Sequence, residues 1–158
     1  IDRFIAAGAA VKEFLVNGLG VSDKIIDVVK EFPSMQEGAS INGKGNIRNE
    51  TRSKLGIDAS ACLIGACGTV DWRKGADLFV AVAHAVTSAV ANGDFHFVWI
   101  GGAPMEKTMQ QLQFDISKAG MSEKVHFVGP QKTPSEYYQA LDIFLSPSRE
   151  DPCPLVMI

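Results

Sequence analysis

Apolar stretches typical of β-strands alternate with amphipathic stretches typical of helices along this 158-residue chain. Between residues 61 and 146 the order is strand, helix, strand, helix, strand, helix, strand, with short connections. Such alternation favours right-handed βαβ units and a mainly parallel sheet. The length suits one compact domain. We therefore predict an α/β fold, a Rossmann-like parallel sheet flanked by helices, formed by one domain over residues 1–158.

Periodicity gives the expected bounds of the elements. Strands are predicted at residues 2–7, 24–29, 61–67, 95–100, 125–128 and 143–146. Helices are predicted at residues 9–19, 47–55, 77–92, 104–119 and 134–140, with a last helix opened by Asp151 and Pro152. The polar, glycine-rich segment 33–46 is predicted to be a loop.

Charge and composition exclude several classes of function. Fifteen Lys and Arg against 18 Asp and Glu give a net charge of −3, which does not indicate nucleic acid or an anionic membrane as partner. No apolar run approaches the ~20 residues of a transmembrane segment, and no secretory signal is visible. Three cysteines without paired spacing favour a reducing compartment, so we expect a cytoplasmic protein. The three histidines have no metal-ligand spacing, and we expect no metal.

Glycine and proline follow the predicted strands directly. These residues are Gly68, Gly101 with Gly102, Gly129 with Pro130, and Pro147. In a parallel sheet such loops meet at the carboxyl edge, where open α/β sheets bind ligands. Cations and carboxylates lie in the same loops, a combination that suits phosphate and hydroxyl groups: Arg73, Lys74, Arg149, Glu150 and Asp151. The alternative is that the glycines are only turn residues. No G-x-x-x-x-G-K-[ST] or G-x-G-x-x-G motif is present.

Two segments resemble motifs of the family-4 (group 1) retaining glycosyltransferases, which have the two-domain GT-B architecture. Residues 68–75 (GTVDWRKG) are similar to the G-R-x-D-x-x-K-G loop, and residues 147–158 (PSREDPCPLVMI) are similar to the start of the E-x7-E motif. The stretches FVWIGG (97–102), VHFVG (125–129) and YQALDIFLS (138–146) fit the same pattern, as does the opening IAAGAAVKEFL (5–15). The resemblance implies one GT-B half, the C-terminal donor-binding domain.

The resemblance also implies a set of diphosphate-binding residues. In the family, the Lys of K-G and the Arg of G-R hold the pyrophosphate of a nucleotide-sugar. Lys74 matches the Lys, whereas Thr69 stands at the Arg position. The implied set is Gly68, Thr69, Arg73 and Lys74, with Arg73 or Arg149 as the compensating cation. The base would be held through the main chain by Gly101, Gly102, Gly129 and Pro130.

The first acid of the E-x7-E motif, which contacts the donor sugar, matches Asp151, or Glu150 if the register slips by one. The second acid would fall at position 159, beyond the last residue. Asp151 has a second interpretation, as N-cap of the helix that Pro152 starts. Trp72 is either a sugar-stacking residue or a packing residue.

These features predict transfer of a hexose from a UDP- or GDP-sugar to an unknown acceptor, in carbohydrate biosynthesis. We expect a domain that is incomplete at its C-terminus, lacks the N-terminal acceptor domain and does not turn over alone. The apolar residues 155–158 favour self-association. The alternative functions are a non-catalytic module that binds a nucleotide or a protein, and a flavodoxin-like regulatory domain.

Overall fold

The computed structural model describes residues 1–29, 44–102, 106–151 and 154. The chain divides into two compact units, residues 38–149 and a smaller unit of residues 1–37 with 150–158. The predicted loop at 33–46 lies outside the described residues except for its last three positions. The helix predicted from Pro152 lies outside them except for Pro154, which is not helical, and the start of the helix predicted at Pro104 also lies outside them.

The smaller unit contains two short parallel strands, β1 (Phe4–Ala6) and β2 (Ile26–Val28). Helix α1 (Ala9–Glu13) continues as a π-helical segment (Phe14–Gly18), and a 3₁₀ turn (Asp23–Ile25) precedes β2. The strand predicted at 24–29 is therefore wrong at its first two residues and at its last, because β2 ends at Val28. Phe14 is 62% exposed, so the apolar face predicted for residues 9–19 is not buried within the described chain.

The larger unit contains a four-stranded parallel sheet with the order β5-β4-β3-β6. The strands are β3 (Cys62–Cys67), β4 (Phe95–Ile100), β5 (Val125–Phe127) and β6 (Ile143–Phe144). The helices are α2 (Lys44–Lys54), α3 (Ala76–Ala89), α4 (Glu106–Lys118) and α5 (Pro134–Ala140). This arrangement confirms the predicted α/β fold with helices beside a parallel sheet.

Alternate residues of the central strands enter two separate cores, because successive side chains of a strand point to opposite faces. Phe97 and Trp99 of β4 pack with Phe79 of α3 in the larger core. Val98 and Ile100 pack in the second core, which the partly buried Tyr137 and Tyr138 of α5 also contact. Near-continuous apolar runs are typical of strands buried on both faces. Cys62 and Cys67 are half-buried at the two ends of β3.

A buried guanidinium joins α2 to the connection between α5 and β6. Arg52 is 1% exposed; its Nη2 donates to Asp142 Oδ2 at 2.6 Å, and its Nε and Nη1 donate to the carbonyls of Ala140 and Ala61. Arg48, one turn earlier, also pairs with Asp142. These bonds hold α2 against α5, and the helix begins at Lys44, three residues before the prediction.

None of the described helices is long and apolar enough to cross a bilayer.

Candidate functional site

The loops that follow β3, β4 and β5 meet at the carboxyl edge of the sheet, as predicted. The Gly68 N–H donates to the Ile100 carbonyl at 3.0 Å, and the Gly101 N–H donates to the Gly129 carbonyl at 2.8 Å. Backbone hydrogen bonds thus connect these glycine-containing loops one to the next. Gly68, Gly101 and Gly129 all have positive φ, a conformation that glycine adopts without steric cost.

Gly102 must be glycine because another backbone lies against it. A Cβ at this position would lie 2.8 Å from the Thr69 Cα and from the Val70 N. The residue also has a φ of +62°. The loop after β4 therefore packs directly on the loop of residues 68–75, which we call the 68–75 loop. Turn formation alone does not account for this contact, so the glycine has a packing role as well.

Trp99 fixes the 68–75 loop from inside the core. Its side chain is fully buried, and its Nε1 donates to the Gly68 carbonyl at 3.0 Å. The indole packs edge-on against Phe79 with the ring centroids 5.4 Å apart. Sequence reasoning assigned Trp99 only to a strand, because periodicity shows that a residue is buried and not which polar atom its N–H reaches.

Asp71 closes the 68–75 loop on itself. Its Oδ2 accepts a hydrogen bond from the Thr69 hydroxyl at 2.6 Å, and its Oδ1 accepts one from the Lys74 N–H at 2.8 Å. Burial raises the pKa of Asp71, but these bonds and the nearby Arg73 outweigh it and bring the pKa below its ordinary value. The sequence predicted that Thr69 binds the diphosphate, whereas in the structure its hydroxyl donates to the Asp71 carboxylate.

Lys74 is the last residue of the loop before Gly75, the N-cap of α3. A Cβ on Gly68 would lie 3.2 Å from the Lys74 Cγ and Cδ, so the lysine stem runs over this glycine. Gly75 then caps α3 with a φ of +75°. A Cβ there would lie 2.2 Å from the Pro147 carbonyl oxygen, which leaves no room for a side chain. Arg73 is exposed beside Lys74.

Arg149 pairs with Asp77 in the first turn of α3. Its Nη1 and Nη2 donate to the two carboxylate oxygens at 2.7 and 2.8 Å, and Nη1 also donates to the Trp72 carbonyl at 2.8 Å. The guanidinium lies 5.0 Å from the centroid of the Trp72 ring. Trp72 is 62% exposed, so its predicted packing is against this cation and not in the core. The hydrogen bonds from Arg149 lower the pKa of Asp77. Burial raises it, but by less, so the pKa lies below its ordinary value.

Glu150 and Asp151 follow Arg149 in the sequence and belong to the smaller unit. Glu150 is exposed and Asp151 is half-buried. The alternative role of Asp151 as a helix N-cap concerns Pro152 onward, outside the described residues. Among the residues that the structure describes, no three His, Cys, Asp or Glu side chains form a group suited to a metal ion.

The structure also brings two histidines together on neighbouring strands. His96 Nδ1 lies 3.3 Å from His126 Nε2, and the rings are stacked with centroids 5.6 Å apart. Burial lowers the pKa of both imidazoles. His96 also contacts the ion pair of Lys124 and Asp94. The sequence predicted a strand position for each histidine but not their contact.

Solved structures share this architecture. The chain superposes on a glycosyltransferase from Rickettsia africae ESF-5 with a TM-score of 0.78 and 15% identity, over 96% of this chain and 39% of that one. It superposes on Anabaena Alr3699/HepE, solved with UDP and glucose, with a TM-score of 0.76 and 17% identity over the same shares. At such identities the likeness defines the fold, that of the GT-B glycosyltransferases.

Sequence comparison defines the family. The model of "Glycosyl transferases group 1" matches residues 61–158, and the chain belongs to this family. The chain is 31% identical over 104 residues to the lipopolysaccharide core biosynthesis mannosyltransferase LpsB of Rhizobium meliloti (strain 1021), covering 65% of this chain. It is 30% identical over 146 residues to the glycogen synthase of Elusimicrobium minutum (strain Pei191), covering 89% of this chain. The chain spans 29% of the length of each of these relatives.

Proposed function

We propose that this chain is the donor-binding half of a retaining glycosyltransferase that transfers a hexose from a UDP- or GDP-sugar. One observation carries the proposal: Lys74 lies in the 68–75 loop, two residues before the start of α3 and at the carboxyl edge of a parallel sheet, and its side-chain stem runs over Gly68. Helix N-termini and cations favour phosphate oxygens. The Anabaena relative in fold, solved with UDP, supports a nucleotide ligand.

In this proposal, Lys74 and the main chain of Gly68 and Thr69 hold the diphosphate. During transfer the bond between the sugar C1 and the diphosphate oxygen breaks, C1 forms a bond to the oxygen of an acceptor hydroxyl, and the hydroxyl proton passes to the leaving diphosphate. Negative charge develops on the leaving diphosphate, and a positioned cation stabilises it by several kcal/mol in sites of this kind. Thr69 stands where the family has an arginine, and we assign the role of that second cation to Arg73, which is exposed beside Lys74.

We assign the remaining donor groups to two further sets of residues. The main chain of Gly101, Gly102, Gly129 and Pro130 holds the nucleoside. The positive φ of the three glycines and the hydrogen bond from the Gly101 N–H to the Gly129 carbonyl support a role that depends little on side chains. Asp151, or Glu150, accepts hydrogen bonds from the sugar hydroxyls, for which a carboxylate is a suitable partner.

Calorimetric titration of the chain with UDP, GDP and ADP tests the diphosphate site. We expect one nucleotide to bind, and Lys74→Ala to weaken its binding at least about tenfold, or ~1.4 kcal/mol. Lys118→Ala is the matched control, because Lys118 is a surface lysine in the last turn of α4. No binding at millimolar concentration, or equal loss in both variants, would contradict the proposal. Binding without sugar transfer by the longer protein would favour a non-catalytic module.

A further inference from the structure

We propose that Arg149 and Asp77 form a clamp that positions the 68–75 loop for the donor diphosphate. Arg149 is then a positioning residue, and it does not replace the arginine that is missing at position 69. The inference rests on the proposed function, since it concerns the same diphosphate site. It assigns a role to an ion pair whose two members lie 72 residues apart in the sequence.

Four contacts connect the segment after β6 to the end of the 68–75 loop. The Arg149 N–H donates to the Arg73 carbonyl at 2.9 Å, and the Arg149 guanidinium donates to the Trp72 carbonyl and to the Asp77 carboxylate. The fourth is the close approach of the Pro147 carbonyl to the Cα of Gly75, described above. These contacts flank Lys74 on both sides in the sequence. The position of the Lys74 backbone therefore depends on the clamp.

The donors of the Arg149 guanidinium are directed to protein groups. Its side chain is 24% exposed, and both Nη atoms donate to the Asp77 carboxylate, which is 51% exposed. A paired carboxylate neutralises the cation, and a phosphate would have to displace it.

The clamp and direct ligation predict opposite effects of one substitution. If Arg149 bound phosphate itself, Asp77→Asn would free the guanidinium, and nucleotide affinity would stay the same or rise. If the pair positions the loop, Asp77→Asn and Arg149→Gln both remove the pairing of Arg149 with Asp77, and Arg149→Gln also removes the bond to the Trp72 carbonyl. Each should then weaken binding, and the double variant should be no weaker than Arg149→Gln, because coupled residues are not additive.

The experiment measures binding of UDP and of uridine to the chain, with GDP and guanosine if GDP is the better ligand. We expect Asp77→Asn and Arg149→Gln each to weaken diphosphate binding about fivefold, the factor for one partly exposed pair. Binding of the nucleoside, which lacks phosphate, should not change. Arg149→Lys should restore part of the affinity. Asp94→Asn is the matched control, since Asp94 is also 51% exposed and pairs with Lys124.

Melting curves without ligand verify that each variant folds, and little change is expected from a partly exposed pair. Unchanged or tighter UDP binding by Asp77→Asn would overturn the clamp, as would additive losses or an equal loss of nucleoside binding. These outcomes leave the proposed function intact if wild-type binding still depends on Lys74. Absence of nucleotide binding by both the wild type and Asp94→Asn would overturn the proposed function and the clamp with it.

Discussion

Replacing Asp142 with alanine removes the carboxylate to which the buried Arg52 donates. Asp142 Oδ2 accepts hydrogen bonds from Arg52 Nη2 at 2.6 Å and from the Leu63 backbone N–H at 2.7 Å. Arg52 is 1% exposed and Asp142 is 33% exposed. Without the carboxylate, a buried cation and a buried N–H of the central strand each lose a partner. We therefore expect a large loss of stability from a single side chain near the sheet edge.

The magnitude follows from these contacts. An unsatisfied buried N–H costs about 1–3 kcal/mol, and a buried pair broken on one side costs about 3–5 kcal/mol. Asp142 is one-third exposed, so water replaces part of what is lost. The carbonyls of Ala140 and Ala61 also still accept from Arg52. We expect a decrease of about 3 kcal/mol in the free energy of unfolding, or roughly 10 °C in the melting temperature of a unit of this size.

Chemical denaturation and thermal melting measure the loss. Asp94→Ala is the control within the same unit: Asp94 is 51% exposed and its partner Lys124 is 35% exposed, so under about 1 kcal/mol is expected. Burial raises the pKa of Asp142, but the hydrogen bonds from the Leu63 N–H and from both arginines outweigh burial. The pKa therefore lies below its ordinary value of 3.8. The stabilisation by Asp142 is complete above that pH and is lost as the pH falls through the folded-state pKa. Equal effects of the two alanine variants would refute the reasoning.

Two other predictions concern the loops and the histidine pair. Gly75→Ala should destabilise the protein by more than about 2 kcal/mol and weaken nucleotide binding, because its Cβ would meet a carbonyl oxygen at 2.2 Å. Gly120→Ala is the control: Gly120 has a φ of +66° with nothing within 4 Å, so this variant should lose only about 1 kcal/mol. Equal melting temperatures of the two variants would contradict the prediction. Burial lowers the pKa of His96 and His126 below 6.5, so the unfolded state binds more protons and stability should fall as the pH drops below about 6.5. Melting at about pH 7.5 and 5.5 should show a smaller acid loss for His126→Gln than for the wild type, and the same loss for His84→Gln, whose imidazole is exposed.

The sequence determined the elements of the larger unit because periodicity is a local property. The bounds of β4 (Phe95–Ile100) and α5 (Pro134–Ala140) agree with the prediction at both ends. The glycines after the strands also predicted the edge where the loops meet, since the direction of parallel strands places their ends together. Errors were at segment ends, as for α2, which begins three residues before the prediction.

Only the tertiary structure decided which side chains meet. The Trp99 indole holds the Gly68 carbonyl, Arg52 reaches Asp142, and Arg149 turns to a carboxylate of α3, where the sequence suggested a phosphate ligand. Each of these pairs is separated by at least 31 residues in the sequence. The periodicity of apolar residues and the turn residues predict which face of its own helix or strand a side chain lies on. The partner of a polar group depends on strand order and helix packing, which no local pattern contains.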